Sequence, residues 1–434
     1  MTRFTTFRGA LALAAVLLVG AACAQDGGDG GAAGPAECPT GEEFGCVEVA
    51  AGEPIRIGTA LTISGDTASL GLDSQRGVEL ALDYRDGTFD ATPGQVAGHD
   101  VEFQHEDTLC TPEGGTAAAR KLASDPTIVS VVGTSCSSEA LGAADKILSD
   151  EGIVLISPSN TSPALTDPAT HQPFYLRTAH NDNIQGATMA QFASEELNAQ
   201  TAATIHDGSP YADGLQQVFC DVFAATYNGE CTVQEAVQVG DTDFGPLLTD
   251  IAADQPDVLF YPIFLPEGGL ITQQAREIPG LANTALAGAD GLWTPDLIDS
   301  AGEENAEGMY LSAPSLEFSG DFYENEFLPA YEEQYGERPT AAFHAHAFDA
   351  TNMVFGAIEE VAIEGDDGSL QIPKTALRDA LFATSNYEGI TGSLTCNENG
   401  DCQPQATMAV YQVERGNIEN QIFSATLSLE ETEA

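Results

Sequence analysis

The chain has 434 residues, 43% of them hydrophobic, and 67 acidic against 14 basic residues give a formal charge of −53. That length points to two or three domains, and the composition is that of packed cores rather than of a disordered or fibrous chain. A surface this negative repels nucleic acid and anionic lipid heads, which excludes a polyphosphate partner.

The first residues read as an export signal. Arg3 and Arg8 precede an apolar run, Leu11–Val19, and the small residues Gly20, Ala21 and Ala22 lead to Cys23. The run is too short for a confident membrane span. A cysteine directly after small residues resembles a bacterial lipoprotein cleavage site, with Gly20 standing where that motif usually carries leucine. The expectation is a signal peptide over 1–22 and lipidation of Cys23. Residues 23–54, rich in Gly, Ala, Asp and Glu, read as a mobile tether. Setting Cys23 aside leaves eight cysteines, an even number that favours disulfides in an exported chain. Local spacing suggests Cys38–Cys46, Cys220–Cys231 and Cys396–Cys402, leaving Cys110–Cys136, although spacing alone does not fix the pairing. No C-x₂-C spacing marks a zinc site, and nothing calls for a metal or cofactor.

The folded part is predicted to begin with a strand over 55–63, a polar loop over 64–71 and a helix over 74–84. A strand at 101–105 and a helix at 112–123 follow. The stretch 128–166 reads as strand, hydroxyl-rich loop, helix, strand, hydroxyl-rich loop. That is a βαβ unit with parallel strands, whose two loops, 133–138 and 157–162, leave the carboxyl ends of the sheet where open α/β sheets bind ligands. After a short extended segment at 174–177 the alternation resumes, with helices at 182–198, 213–227, 244–253 and 268–277. The strands between and after them fall at 202–206, 232–239, 258–261, 285–287 and 309–312. Helices dominate from about 320 to 383, two late strands (392–395 and 407–413) flank the Cys396–Cys402 turn, and 428–434 reads as a solvated acidic tail. The fold class expected is α/β, with doubly wound lobes.

Several stretches carry a resemblance in order and at near-matching spacing. They are Gly58–Gly65, Asp107-Thr-Leu-Cys-Thr-Pro112, Val132-Gly-Thr-Ser-Cys-Ser-Ser138, Ile156-Ser-Pro-Ser-Asn-Thr-Ser-Pro163 and Leu176-Arg-Thr-Ala179. Further along come Ile205-His-Asp207 with Tyr211, Ala306-Glu-Gly-Met309 and Thr391-Gly-Ser393. Together they resemble the type I periplasmic solute-binding proteins of ABC transporters, in the leucine/isoleucine/valine-binding group. The resemblance implies two Rossmann-like lobes joined by three hinge crossings, which close on a ligand. Lobe one would be 55–178 plus 315–385, and lobe two 179–314 plus 386–427. The family's lobe-one disulfide falls on Cys110 and Cys136.

The same resemblance places the carboxylate of a bound amino acid at Ser137, Asn160 and Thr161. Ser137 or Ser138 can cap the helix beginning near Glu139, where free backbone N–H groups favour an anion. The resemblance puts Tyr211 and Asp290 near the ligand from lobe two, with Asp290 standing where a glutamate is usual and serving the ammonium. Leu70 and either Phe264 or Leu265 take the places of family aromatics around the ligand side chain. Trp293, the only tryptophan, is either a pocket wall or a structural core residue. Two other readings are weaker. Gly133-Thr-Ser-Cys-Ser137 lacks the second glycine of a G-x-S-x-G nucleophile elbow. His344 and His346 point about 200° apart on a helix and do not converge on one ion. The function expected is not enzymatic: an extracytoplasmic receptor that passes a small amino acid to ABC permease subunits. A urea, amide or carboxylic-acid binder, or a ligand-sensing receptor component, is the alternative on the same fold.

Overall fold

The computed structural model describes residues 34–318 and 320–432. The signal and Cys23 lie outside these residues. Two open twisted sheets with helices on their faces form two lobes. The six strands of lobe one run in the order Gln95–Val96, His99–Asp107, Ile55–Leu61, Ile128–Gly133, Val154–Ser157, Tyr175–Arg177. All neighbours are parallel except the first pair. Lobe two holds seven strands, in the order Gln421–Ser428, Gln405–Gln412, Tyr310–Pro314, Ala285–Gly288, Val258–Phe260, Thr201–His206, Glu230–Ala236. Its first three are antiparallel and the rest parallel.

The inner strands are continuous apolar runs because helices cover both faces of the sheet. Ile128–Gly133 and Val154–Ser157 are buried at every position. One large core lies in lobe two. A second in lobe one gathers the first strand, the helix Ala68–Asp83 and the helix His344–Val361. The chain passes between lobes three times, near residues 178–181, 315–317 and 403–405.

Four parts of the chain depart from the sequence reading. The described part of the supposed tether is folded. Cys46–Val49 pairs antiparallel with Leu370–Pro373, Ala36 donates its N–H to Ser369 Oγ at 3.0 Å, and Phe44 packs edge-on against Phe174 at 5.0 Å. Alternating Val47 and Val49 supply the buried face of this added strand. The hairpin Tyr387–Gly389 and Gly392–Leu394 belongs to lobe one rather than lobe two, because Asp349 accepts the N–H groups of Ile390 and Thr391, both at 2.9 Å. The acidic tail is pinned at its start: Leu429 is buried, and its N–H bonds Pro404 O. The strand Gln421–Ser428, absent from the sequence reading, is an edge strand whose residues are half-buried or exposed, so its apolar pattern is weak.

The first helix begins at Ala68, not near Ser74. Gly71 lies inside it and packs against the chain after the first strand, where a Cβ would lie 2.0 Å from Thr62 O. The early start puts Leu70 in the first turn, facing the space between lobes. Disulfides join Cys38–Cys46, Cys110–Cys136, Cys220–Cys231 and Cys396–Cys402.

Candidate functional site between the lobes

Both hydroxyl-rich loops of lobe one leave the carboxyl ends of adjacent parallel strands and meet over the interlobe space. Cys136 caps the helical segment beginning at Ser137, and the Glu139 carboxylate returns to accept the Cys136 N–H at 2.9 Å. The Cys110 disulfide fixes the same residue from the other side. Ser137 is thereby held with its Oγ accepting N–H groups from Thr161 (3.3 Å) and Ser162 (3.2 Å). Those two bonds use the acceptor lone pairs and leave the hydroxyl proton free to donate.

Asn160 is placed differently from expectation. Its Oδ1 accepts from Thr134 Oγ1 (2.9 Å) and its Nδ2 donates to Thr134 O (2.9 Å), so its side chain is satisfied inside lobe one. Its backbone is engaged as well, the N–H donating to Ser157 Oγ at 2.9 Å. Arg177, fully buried, holds this loop from behind by donating to Asn160 O (3.2 Å), Ser162 O (2.9 Å) and Thr166 Oγ1 (2.7 Å), while pairing with Asp401.

From lobe two, Tyr211 sits in the first turn of the helix Pro210–Tyr227, whose N-cap Ser209 accepts the Ala212 N–H. Its hydroxyl donates to Asp290 Oδ1 at 2.9 Å and accepts the Gly291 N–H at 3.2 Å. Gln185 Nε2 also donates to Asp290 Oδ1, at 2.8 Å. Asp290 is thus buried and aimed by two donors. Burial raises its pKa to about 6 against the opposing effect of those donors.

The sequence reading missed Asp182. It opens the helix Asp182–Glu195 directly after the first crossing and is fully buried. Among the described residues neither of its carboxylate oxygens has a hydrogen-bond partner. Burial first, and the neighbouring Asp290 second, push its pKa well above the ordinary carboxylate range. His180 Nε2 lies 4.0 Å away, but burial lowers that imidazole to about 4, so it is neutral and offers no counter-charge. The signal that could have found Asp182 is its place at a helix start just beyond Leu176-Arg-Thr-Ala179.

Leu70, Phe264, Leu265, Trp293 and Asp290 line one enclosed space between the lobes, together with Ser69. Phe264 lies 5.1 Å from the Tyr211 ring, and it approaches so closely because residue 291 is glycine: a Cβ there would meet its ring at 2.9 Å. Trp293 is buried against Tyr411 at 5.4 Å and also faces this space, so it is both core and wall. None of the residues lining it is Lys or Arg. The lobes touch: Ser69 Oγ donates to Asp296, and Ser162 Oγ donates to Pro210 O at 3.2 Å. The remaining cavity is about 20 Å³, so a solute enters only when the lobes swing apart.

A sequence model of the periplasmic binding protein family matches residues 54–417. The chain belongs to the type I periplasmic binding proteins. Within that family it is 31% identical over 275 residues to a Leu/Ile/Val-binding protein of Escherichia coli K12, covering 62% of this chain and 71% of the relative. It is 28% identical over 374 residues to a Leu/Ile/Val-binding protein of Rhizobium johnstonii, covering 84% and 93%. Among solved structures, the leucine-binding protein LivK of Thermotoga maritima superposes with a TM-score of 0.74 at 24% identity, covering 87% of this chain and 99% of that one. A solute-binding protein of R. palustris in complex with benzoate gives 0.70 at 20%, covering 86% and 96%. As a binding protein of this family the chain has two lobes and a solute cleft, and its residues 34–53 precede the matched segment.

Proposed function

We propose that this protein is the extracytoplasmic receptor of an ABC importer, anchored through lipidated Cys23, and that it captures a small α-amino acid between its lobes. One observation carries the ligand class: Asp182, fully buried with both carboxylate oxygens unpartnered among the described residues, faces a second buried carboxylate, Asp290. Two buried carboxylates side by side, their charge only partly offset by Arg177, form a socket for a cation, and the ammonium of a zwitterion fits it. Opposite, the Ser137 hydroxyl and the loop at Thr161 suit the carboxylate. Leu70, Phe264 and Trp293 give the side chain an apolar wall, in keeping with the leucine, isoleucine and valine for which the relatives from E. coli and R. johnstonii are named. A benzoate-type acid would leave both aspartates unpaired, which argues against the carboxylic-acid alternative.

A thermal-shift and calorimetric screen of amino acids, amides and aromatic acids tests the class. Branched-chain amino acids are expected to bind, and binding of benzoate alone would overturn the proposal. Asp290→Ala is expected to weaken leucine binding by about 2–5 kcal/mol, because the ammonium is left short of a buried partner. Unchanged affinity in calorimetry would remove Asp290 from the site.

Acidity should act in the same direction. The empty pair has raised pKa values and holds a proton near pH 6, whereas the ammonium requires ionised carboxylates. Binding therefore expels a proton, and leucine affinity should fall by up to about tenfold per pH unit below pH ~6. Calorimetry in buffers of different ionisation enthalpy measures the proton released. A dissociation constant flat from neutrality down to pH ~5 would count against a carboxylate socket.

A further inference from the structure

The hinge carries a second cavity, of about 490 Å³, on the side remote from the cleft mouth. Strand order fixes that placement. The crossings leave from Tyr175–Arg177 at one edge of the lobe-one sheet and from the antiparallel end of the lobe-two sheet, so the mouth opens at the opposite edges. The walls come from the lobe-one hairpin 387–394, from the lobe-two strands Gln405–Gln412 and Gln421–Ser428, and from the two crossing segments near 315 and 404. The polar lining is hydroxyl and amide: Ser315, Thr391, Ser393, Gln403, Gln405 and Thr407. Phe318 supplies a flat apolar surface, with the largely buried Ile390 and the buried Met408 behind the polar lining. Among the described residues no lysine or arginine lines it, and the one carboxylate that does, Glu317, is exposed. His346 lines it from the helix His344–Val361, 1% exposed, and among the described residues its Nδ1 has no hydrogen-bond partner. Burial keeps that imidazole neutral, with a pKa near 3.

We propose that this groove is a second binding site, for a small neutral polyhydroxylated solute of the sugar or polyol class, and that its occupancy favours the closed form. Hydroxyls and amides with no cation reject anions, while alternating polar and flat apolar surface suits the two faces of a sugar ring. The hinge lies between groove and cleft. Rotation that closes the cleft therefore spreads the groove, and rotation that opens the cleft squeezes it. A solute bound in the spread groove shifts the equilibrium toward closure by its difference in affinity for the two forms. Coupling to the cleft rests on the amino-acid reading above, whereas binding in the groove does not.

The test uses the mature chain, with imidazole resonances followed by NMR during titration with D-glucose, D-trehalose or glycerol at millimolar concentration. The His346 signal is expected to shift saturably with at least one of them. The shift should vanish in Ser393→Trp and in Thr407→Trp, two exposed groove positions whose folding is checked by thermal melts. With the groove saturated, leucine should bind about fivefold tighter, and leucine should tighten the sugar by the same factor. No saturable shift with any probe, or an equal shift in both blocked variants, overturns the site. A His346 shift with unaltered leucine affinity overturns the coupling. Leucine failing to bind while the shift persists overturns the cleft reading alone.

Discussion

Asp182→Asn is expected to weaken leucine binding by about 2–5 kcal/mol, roughly 30-fold to several thousand-fold, while making the empty protein more stable. The two effects have one cause. Asp182 is fully buried without a hydrogen-bond partner among the described residues, and Asp290 opposes its ionisation. In the empty protein it is a group whose desolvation the charge of Arg177 offsets only in part, and replacing it removes a penalty of about 1–3 kcal/mol. In the complex it meets the ammonium, and replacing it removes a partner. The sign with pH follows. A carboxyl whose folded pKa is raised above its unfolded value stabilises the fold most below the unfolded pKa, and that stability is lost as pH rises through the folded pKa. Empty wild-type protein should therefore lose stability from about pH 4 toward neutrality by more than the variant does. Urea melts at mildly acidic and neutral pH, paired with calorimetry, measure both halves. A variant that binds leucine as tightly as wild type, or that is less stable than wild type at neutral pH, would show that Asp182 is a structural group.

Much of this architecture was legible because the lobes are built from repeated βα units. Helix Pro112–Ala123 begins at a proline after a threonine cap and was bounded correctly, and the parallel strands Ile128–Gly133 and Val154–Ser157 announce themselves as short β-branched runs. The strand Cys46–Val49 did not, because it is four residues in a Gly- and Glu-rich stretch and exists only through Leu370–Pro373, more than three hundred positions away. Composition cannot see a partner at that distance. The site divides the same way. Ser137, Thr161, Tyr211 and Asp290 sit in stretches with a recognisable pattern; Asp290 lines the interlobe space and is bonded by Tyr211, while Ser137 and Thr161 are buried and bonded to each other in lobe one. Asn160 lay in one of those stretches too, but which way its amide turns depends on Thr134 across the sheet. Asp182 carries only a weak local signal, its place at a helix start, in a chain with 67 acids; what distinguishes it is the burial that tertiary structure imposes.

Arg177→Ala should be the more damaging substitution for the fold, at about 3–5 kcal/mol of stability, although Arg177 is not placed against the ligand. Arg177 ends the strand Tyr175–Arg177 at the first crossing, fully buried, and spends its guanidinium on Asp401, Asn160 O, Ser162 O and Thr166 Oγ1. Its backbone N–H bonds Gly400 O, and its carbonyl accepts from Cys402 N. One residue therefore joins the loop 157–162 to the disulfide-closed loop that precedes the third crossing. Alanine leaves Asp401 buried and unpaired, together with two carbonyls that had pointed inward. Lysine cannot rescue it, since a single ammonium does not span the same fork. A double variant, Arg177→Met with Asp401→Leu, separates the ion pair from the loop. Removing both charges should restore most of the stability seen in denaturant melts, because the unpaired carboxylate is gone. Leucine affinity should remain down by about 1–3 kcal/mol, because Asn160 O and Ser162 O still lack their donor and the N–H groups facing Ser137 lose their aim. If the double variant recovers binding along with stability, Arg177 acts on the fold alone and does not position the site.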